Sequence, residues 1–194
     1  LLREQVAAAT GSQKSRTGAA KMTQIVNVFT QSVETGDIAI EGGYIVGIGN
    51  YEGITEKDLG GAYVCPGFLD GHIHIESSMT SPGEFERAVV PHGTIAVITD
   101  PHEIANVAGT AGIRFMMQSA QKLDLDVYFM LPSCVPATDL DESGAELLAR
   151  DLEPFYADEK VLGLAEMMNA FGVTHGDKGC FEKLVQARSL KKCH

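Results

Sequence analysis

The feature that most restricts the fold is a rhythm. From Pro66-Gly67 onward, a short apolar run gives way to a longer amphipathic stretch, four times over. The runs at 68–75, 95–99, 127–131 and 161–165 predict strands, and segments 82–90, 104–122, 144–156 and 178–190 predict helices. The apolar runs lack clean polar alternation, which suits strands covered on both faces of a parallel sheet. Each predicted helix start carries a capping-box pattern, a hydroxyl or Asp followed three residues later by Glu or Asp. The pairs are Ser81/Glu84, Asp100/Glu103, Ser143/Glu146 and Thr174/Asp177. Pro82 and Pro101 suit a first helical position, where a missing N–H costs nothing.

Alternating β and α elements imply a parallel sheet with helices outside it, either doubly wound or a (β/α)8 barrel. A dinucleotide-binding sheet would show GxGxxG after its first strand, and none is present. That strand ends instead in Asp70-Gly71-His72-Ile73-His74, at the strand end where barrel enzymes place their chemistry. A complete barrel needs about 250 residues and eight βα units, whereas residues 66–194 hold four.

Upstream, residues 1–24 are small and polar, predicting a short helix over 1–9 and loop after it. Ile25 to Phe29 predicts a strand, Asp37–Ile40 and Tyr44–Ile48 flank Glu41-Gly42-Gly43 as a hairpin, and Ala62-Tyr63-Val64 adds a third strand. The expected fold class is therefore α/β: a small β-sandwich-like module within 1–65, then the first half of a (β/α)8 barrel over 66–194.

Charge and composition narrow the partners. Fifteen Lys+Arg against 26 Asp+Glu, a net charge of −11, disfavour a phosphate-tracking nucleic-acid binder or a polybasic membrane binder. No apolar run approaches the ~18 residues of a membrane span. Cys65, Cys134, Cys180 and Cys193 form no CxxC pair, which makes a reducing cytoplasm the expected location. The opening Leu1-Leu2-Arg3-Glu4 lacks a methionine and an apolar signal core, so the N-terminus reads as incomplete or processed.

His72 and His74 lie two apart on a strand and so share a face, where two imidazole nitrogens suit Zn, Fe or Mn; a pair of hydrogen-bonded structural histidines is the bland alternative. Glu166 ends the fourth predicted strand, aimed at the same mouth, and its two oxygens suit bridging of two cations around a shared water. Alone, it would read as a solvated Glu. His102 opens a helix at that end, as a partner of a metal ligand, a substrate contact or a surface histidine. Helix capping suffices for Asp100 and Glu103. Glu76, Ser77 and Ser133 are weaker candidates for substrate contact. Cys134 lacks a base partner and reads as a buried thiol.

The words carrying these residues resemble a known family. Pro66-Gly67-Phe68-Leu69-Asp70-Gly71-His72-Ile73-His74 after a β-module resembles the opening of metal-dependent amidohydrolases. Four longer words resemble the bacterial adenine deaminase family: His74-Ile75-Glu76-Ser77-Ser78-Met79, Asp100-Pro101-His102-Glu103-Ile104-Ala105-Asn106-Val107, the stretch from Tyr128 to Thr138, and Gly163-Leu164-Ala165-Glu166-Met167-Met168-Asn169. They stand in family order over about residues 24–185.

The resemblance implies hydrolytic deamination of adenine to hypoxanthine and ammonia in purine salvage, by a hydroxide held between two divalent metals, with Mn or Fe favoured over Zn. It implies His72 and His74 as first-strand metal ligands and Glu166 at the bridging position, with adenine and water as partners and a possible homo-oligomer. The family continues for hundreds of residues, bringing further ligands and the proton shuttle. The sequence from Ala187 on departs from it, so the chain is expected to be an N-terminal portion with little turnover alone. Two alternatives stay open: another cyclic amidohydrolase or deacetylase, or a non-catalytic metal-binding or self-associating fragment. A nucleic-acid base editor is opposed by the acidic charge and the missing HxE…PCxxC signature.

Overall fold

A computed structural model describes residues 15–138 and 140–190, so the helix expected over 1–9 lies outside the described residues. The chain divides into two compact units, Leu1–Pro66 and Gly67–His194.

The first unit is a five-stranded sheet of β1 (Ser15–Asn27), β2 (Ser32–Glu41), β3 (Tyr44–Gly49), β4 (Gly53–Asp58) and β5 (Tyr63–Val64), in the order β3-β2-β1-β4 with β5 also on β1. The β2–β3 hairpin closes at Gly42-Gly43, with φ of 58° and 83°. Both residues take the left-handed conformation that a two-residue turn matching strand twist requires, and glycine adopts it without a Cβ clash.

Two readings need correction here. Residues 15–24 are not loop but the first part of the central strand β1, and β4 had no counterpart in the sequence reading. Ser, Gly, Ala and Lys carry little strand preference and two threonines do not mark a strand by themselves, so pairing with β2 and β4 decides the matter by burying Ala19 and Thr23. A bulge between Ala20 and Thr23 puts Met22 at φ 52°. Asp37 holds it, accepting the Met22 N–H at 3.2 Å and pairing with Lys21 Nζ at 2.8 Å. The Lys21 contact and the N–H groups of Met22 and Tyr51 keep the Asp37 carboxyl below its ordinary pKa.

In the second unit β6 (Phe68–Ile73), β7 (Thr94–Thr99), β8 (Asp126–Leu131) and β9 (Val161–Leu164) pair in parallel, in the order β6-β7-β8-β9. Strand order follows chain order without reversal, as in a winding barrel and unlike a doubly wound sheet. The helices are α1 (Pro82–Val89), α2 (His102–Ser119), α3 (Ala149–Leu152), α4 (Ala170–His175) and α5 (Lys178–Ser189). Val97, Phe129, Leu131 and Leu164 from the sheet pack with Ile113, Met116 and Leu152 from the helices. β6 departs from the expected two-sided cover, since Phe68 and Leu69 are exposed.

The helix expected over 144–156 is shorter. It begins at Ala149 and runs into a 3-10 turn over Glu153–Ala157. The Gly144 N–H donates to Asn106 at 2.8 Å and the Leu147 N–H to Val135 at 2.9 Å, so the preceding backbone bonds to other elements instead of a helical turn. α2 starts two residues earlier than expected and is interrupted at Gly109, with φ 58° and ψ −140°. α4 was not anticipated.

The four capping boxes do not form as read. Ser81 precedes α1 without a side-chain cap, and Pro101, not Asp100, is the N-cap of α2. Ser143 Oγ donates to the Asn106 and Ala145 carbonyls, and Thr174 Oγ to those of Ala170 and Phe171. Asp177, read as the acidic end of a box, is itself the cap of α5 and accepts the Cys180 N–H at 2.8 Å. Asn169 caps α4, accepting the Gly172 N–H at 2.7 Å. Asn169→Ala is expected to destabilise the second unit by about 1 kcal/mol, read as a lower urea midpoint at unchanged slope.

Candidate metal centre

His72 is the penultimate residue of β6 and His74 lies just past it, and the Asp70 carboxylate accepts the His72 N–H at 3.1 Å. Two-residue spacing puts both rings on one side, with Nε2 atoms 3.1 Å apart and planes inclined at 74°. Glu166 follows β9, and its Oε1 stands 3.7 Å from His72 Nε2 and 3.9 Å from His74 Nε2. One ligand atom from each residue falls within 4.8 Å of the others. β6 and β9 are the outer strands, three spacings or about 14 Å apart in a flat sheet. Their side chains meet because they converge over the C-terminal ends of the strands.

The donor set suits a divalent cation. Two nitrogen lone pairs and a carboxylate oxygen aimed at one place repel unless a proton or a cation lies among them. His74 Nδ1 lies 3.1 Å from Glu103 Oε2, close enough for an ion pair though off the line of a hydrogen bond. A proton on Nδ1 would face that carboxylate and leave Nε2 free to ligate. Glu103, assigned only to capping by the sequence, thus stands beside a donor. The available signal was its place at a helix start beyond a parallel strand.

The other candidates lie outside this trio. His102 is 4% exposed, with Nδ1 3.5 Å from Asp100 Oδ2. Burial opposes its protonation, but Asp100 more than offsets that, and its pKa sits above the ordinary value. Neither ring nitrogen of His102 nor either Asp100 oxygen has a well-aligned hydrogen bond among the described residues. Glu76 accepts the Ile104 N–H at 3.2 Å through Oε1, while its buried Oε2 is unpartnered among the described residues. Burial pushes its pKa up. Ser77 is exposed on the short turn after β6.

Ser133 is buried, its hydroxyl donating to the Glu166 carbonyl at 2.5 Å. Cys134 is buried as well, with Sγ 3.4 Å from Met167 Sδ. A cavity of about 230 Å³ opens at the opposite end of the sheet, beside Asp126 and Lys160, so it is not the space in front of the histidines. Among the described residues no helix is long and apolar enough to cross a membrane.

The sequence is also similar to that of known proteins. The chain is 53% identical over 172 residues to the adenine deaminase of Bacillus pumilus, covering 89% of this chain and 30% of that protein. It is 54% identical over 164 residues to adenine deaminase 2 of Carboxydothermus hydrogenoformans, covering 84% and 29%, and 52% identical over 172 residues to the adenine deaminase of Bacillus subtilis, covering 89% and 30%. The chain thus spans about 30% of the length of these curated relatives. A model of the amidohydrolase family matches residues 63–192, so the likeness runs on through most of the segment after Ala187 read as departing from it. That match takes in all four parallel strands and the three converging donors, and with it the chain belongs to the amidohydrolase family.

Proposed function

We propose that residues 66–194 carry the first half of the metal site of an adenine deaminase, with residues 1–65 as its accessory β-module. The observation that supports this most directly is the convergence of His72, His74 and Glu166 from the outer strands of a parallel sheet. In this reading His72 and His74 ligate through Nε2 and Glu166 through its carboxylate, with Mn or Fe favoured over Zn and two cations in the complete site. A bound divalent cation lowers the pKa of water enough to supply a nucleophile near neutral pH.

The chain's own residues supply position. Glu103 stands beside His74 Nδ1 and orients that ring, and His102 lies buried against Asp100 near the same strand ends. Glu76 and Ser77 border the mouth as substrate contacts. Ser133 acts on the Glu166 backbone, since its hydroxyl is engaged there. The reaction is hydrolysis of adenine to hypoxanthine and ammonia, a step of purine salvage, in a cytoplasmic enzyme that needs neither nucleic acid nor membrane. Three donors are too few for two cations and a proton shuttle, so residues 1–194 alone turn over little.

The test is ammonia release from adenine by a longer protein carrying these residues, loaded with Mn2+. Release with equimolar hypoxanthine is expected. Hydrolysis of a cyclic amide or an N-acetyl group with adenine untouched would reassign the chain within the amidohydrolases.

A further inference from the structure

The pairing of β8 with β9 ends at Leu131 and Leu164, short of Glu166. The Ala165 N–H still donates to the Leu131 carbonyl at 2.8 Å, and from Glu166 on, side chains hold the backbone. Ser133 Oγ donates to the Glu166 carbonyl at 2.5 Å, and Cys134 Sγ meets Met167 Sδ at 3.4 Å, so two neighbours in one loop grip two neighbours after β9. The loop is held in turn from α5, where Lys183 Nζ donates to the Ser133 carbonyl at 2.7 Å. Lys183 is 7% exposed. Lysine is almost never this buried without a specific partner, because removing an ammonium from water costs several kcal/mol (roughly). Cys134, Cys180, Asp177 and Glu146 provide the charged and titratable surroundings of the amine.

We infer that Lys183 and Ser133 are positioning residues that hold Glu166 at the histidine pair through a relay from α5 to the β8 loop to the end of β9. The relay runs from ammonium to Ser133 carbonyl, then from Ser133 hydroxyl to Glu166 carbonyl, and it fixes the Cα from which the carboxylate reaches His72 and His74. Two oriented hydrogen bonds replace the sheet bonds that have ended, in the manner of outer-shell groups that set a ligand's direction. The inference rests on the metal reading of His72, His74 and Glu166.

The test titrates Mn2+ into the 194-residue chain by calorimetry, comparing wild type, Lys183→Met, Ser133→Ala, the double variant and His72→Ala. Lys183→Met keeps the stem and removes the charge, and Ser133→Ala removes only the hydroxyl. Each is expected to weaken Mn2+ binding roughly tenfold, the lower end for outer-shell partners. The double variant is expected to bind no more weakly than either single, because both break one relay. The metal-free thermal midpoint is the control for a merely structural role, which would move that midpoint and leave affinity alone. Wild-type affinity in Lys183→Met and Ser133→Ala, with binding lost in His72→Ala, overturns the relay and leaves the metal reading standing. Wild-type affinity in His72→Ala overturns both. If Lys183→Met does not fold, Ser133→Ala, a smaller change, decides the same comparison.

Discussion

Glu166→Gln, made in a longer protein that carries these residues, is expected to lower adenine turnover by about 10³-fold, close to 4 kcal/mol of transition-state stabilisation. Glutamine keeps the shape of the side chain and removes its negative charge. The carboxylate is the one anionic donor in the trio, standing 3.7 Å and 3.9 Å from the two imidazole nitrogens. Without that charge a divalent cation loses its strongest electrostatic partner on this side of the site. Elemental analysis should show fewer bound metal ions per chain, and the loss should appear in kcat more than in KM. Retention of more than a tenth of the activity would place the essential carboxylate elsewhere. His72→Ala is the companion measurement, expected to remove the metal without altering the fold, since His72 is exposed.

The second large effect is structural. Phe129→Ala should destabilise the second unit by about 3–5 kcal/mol, the range for truncating a buried aromatic side chain. Phe129 is 2% exposed at the middle of β8, among the largest fully buried side chains. A deletion there leaves a cavity between the sheet and its helices that neighbouring side chains fill only in part. Domain stabilities of about 5–15 kcal/mol make such a loss enough to populate unfolded chain near ambient temperature. Urea unfolding followed by circular dichroism checks it, with Phe115→Ala as control. Phe115 is 50% exposed on α2, and its truncation is expected to cost well under 1 kcal/mol (roughly). Equal losses at the two positions would mean that the core is not seated where β8 places it.

The strand pattern of the second unit was legible because short apolar runs such as 127–131, too brief for a helix and followed by longer amphipathic stretches, suit buried strands. Burial of Val127, Phe129 and Leu131 follows from composition alone. Helix starts were less legible. A hydroxyl three residues before an acid is compatible with a cap, but the backbone around Ser143 finds stronger partners in Asn106 and Val135, and the cap does not form. β1 was illegible for the opposite reason: Ser15–Gln24 has few strand-favouring residues beyond its two threonines, and pairing with neighbours on both sides makes it a strand.

At the site, the spacing of His72 and His74 determined that two imidazoles would share one side, because side chains alternate along an extended chain whatever surrounds it. The words around them likewise determined the family resemblance. Whether Glu166 would meet them was a matter for the tertiary structure, since 92 residues separate Glu166 from His74 and only the winding of four parallel strands brings the outer two together. The same holds for Glu103 beside His74 and for Lys183 reaching Ser133 across 50 positions. Local chemistry is written in neighbouring residues; convergence of distant ones depends on how helices and strands pack, and that is settled by the whole buried core at once.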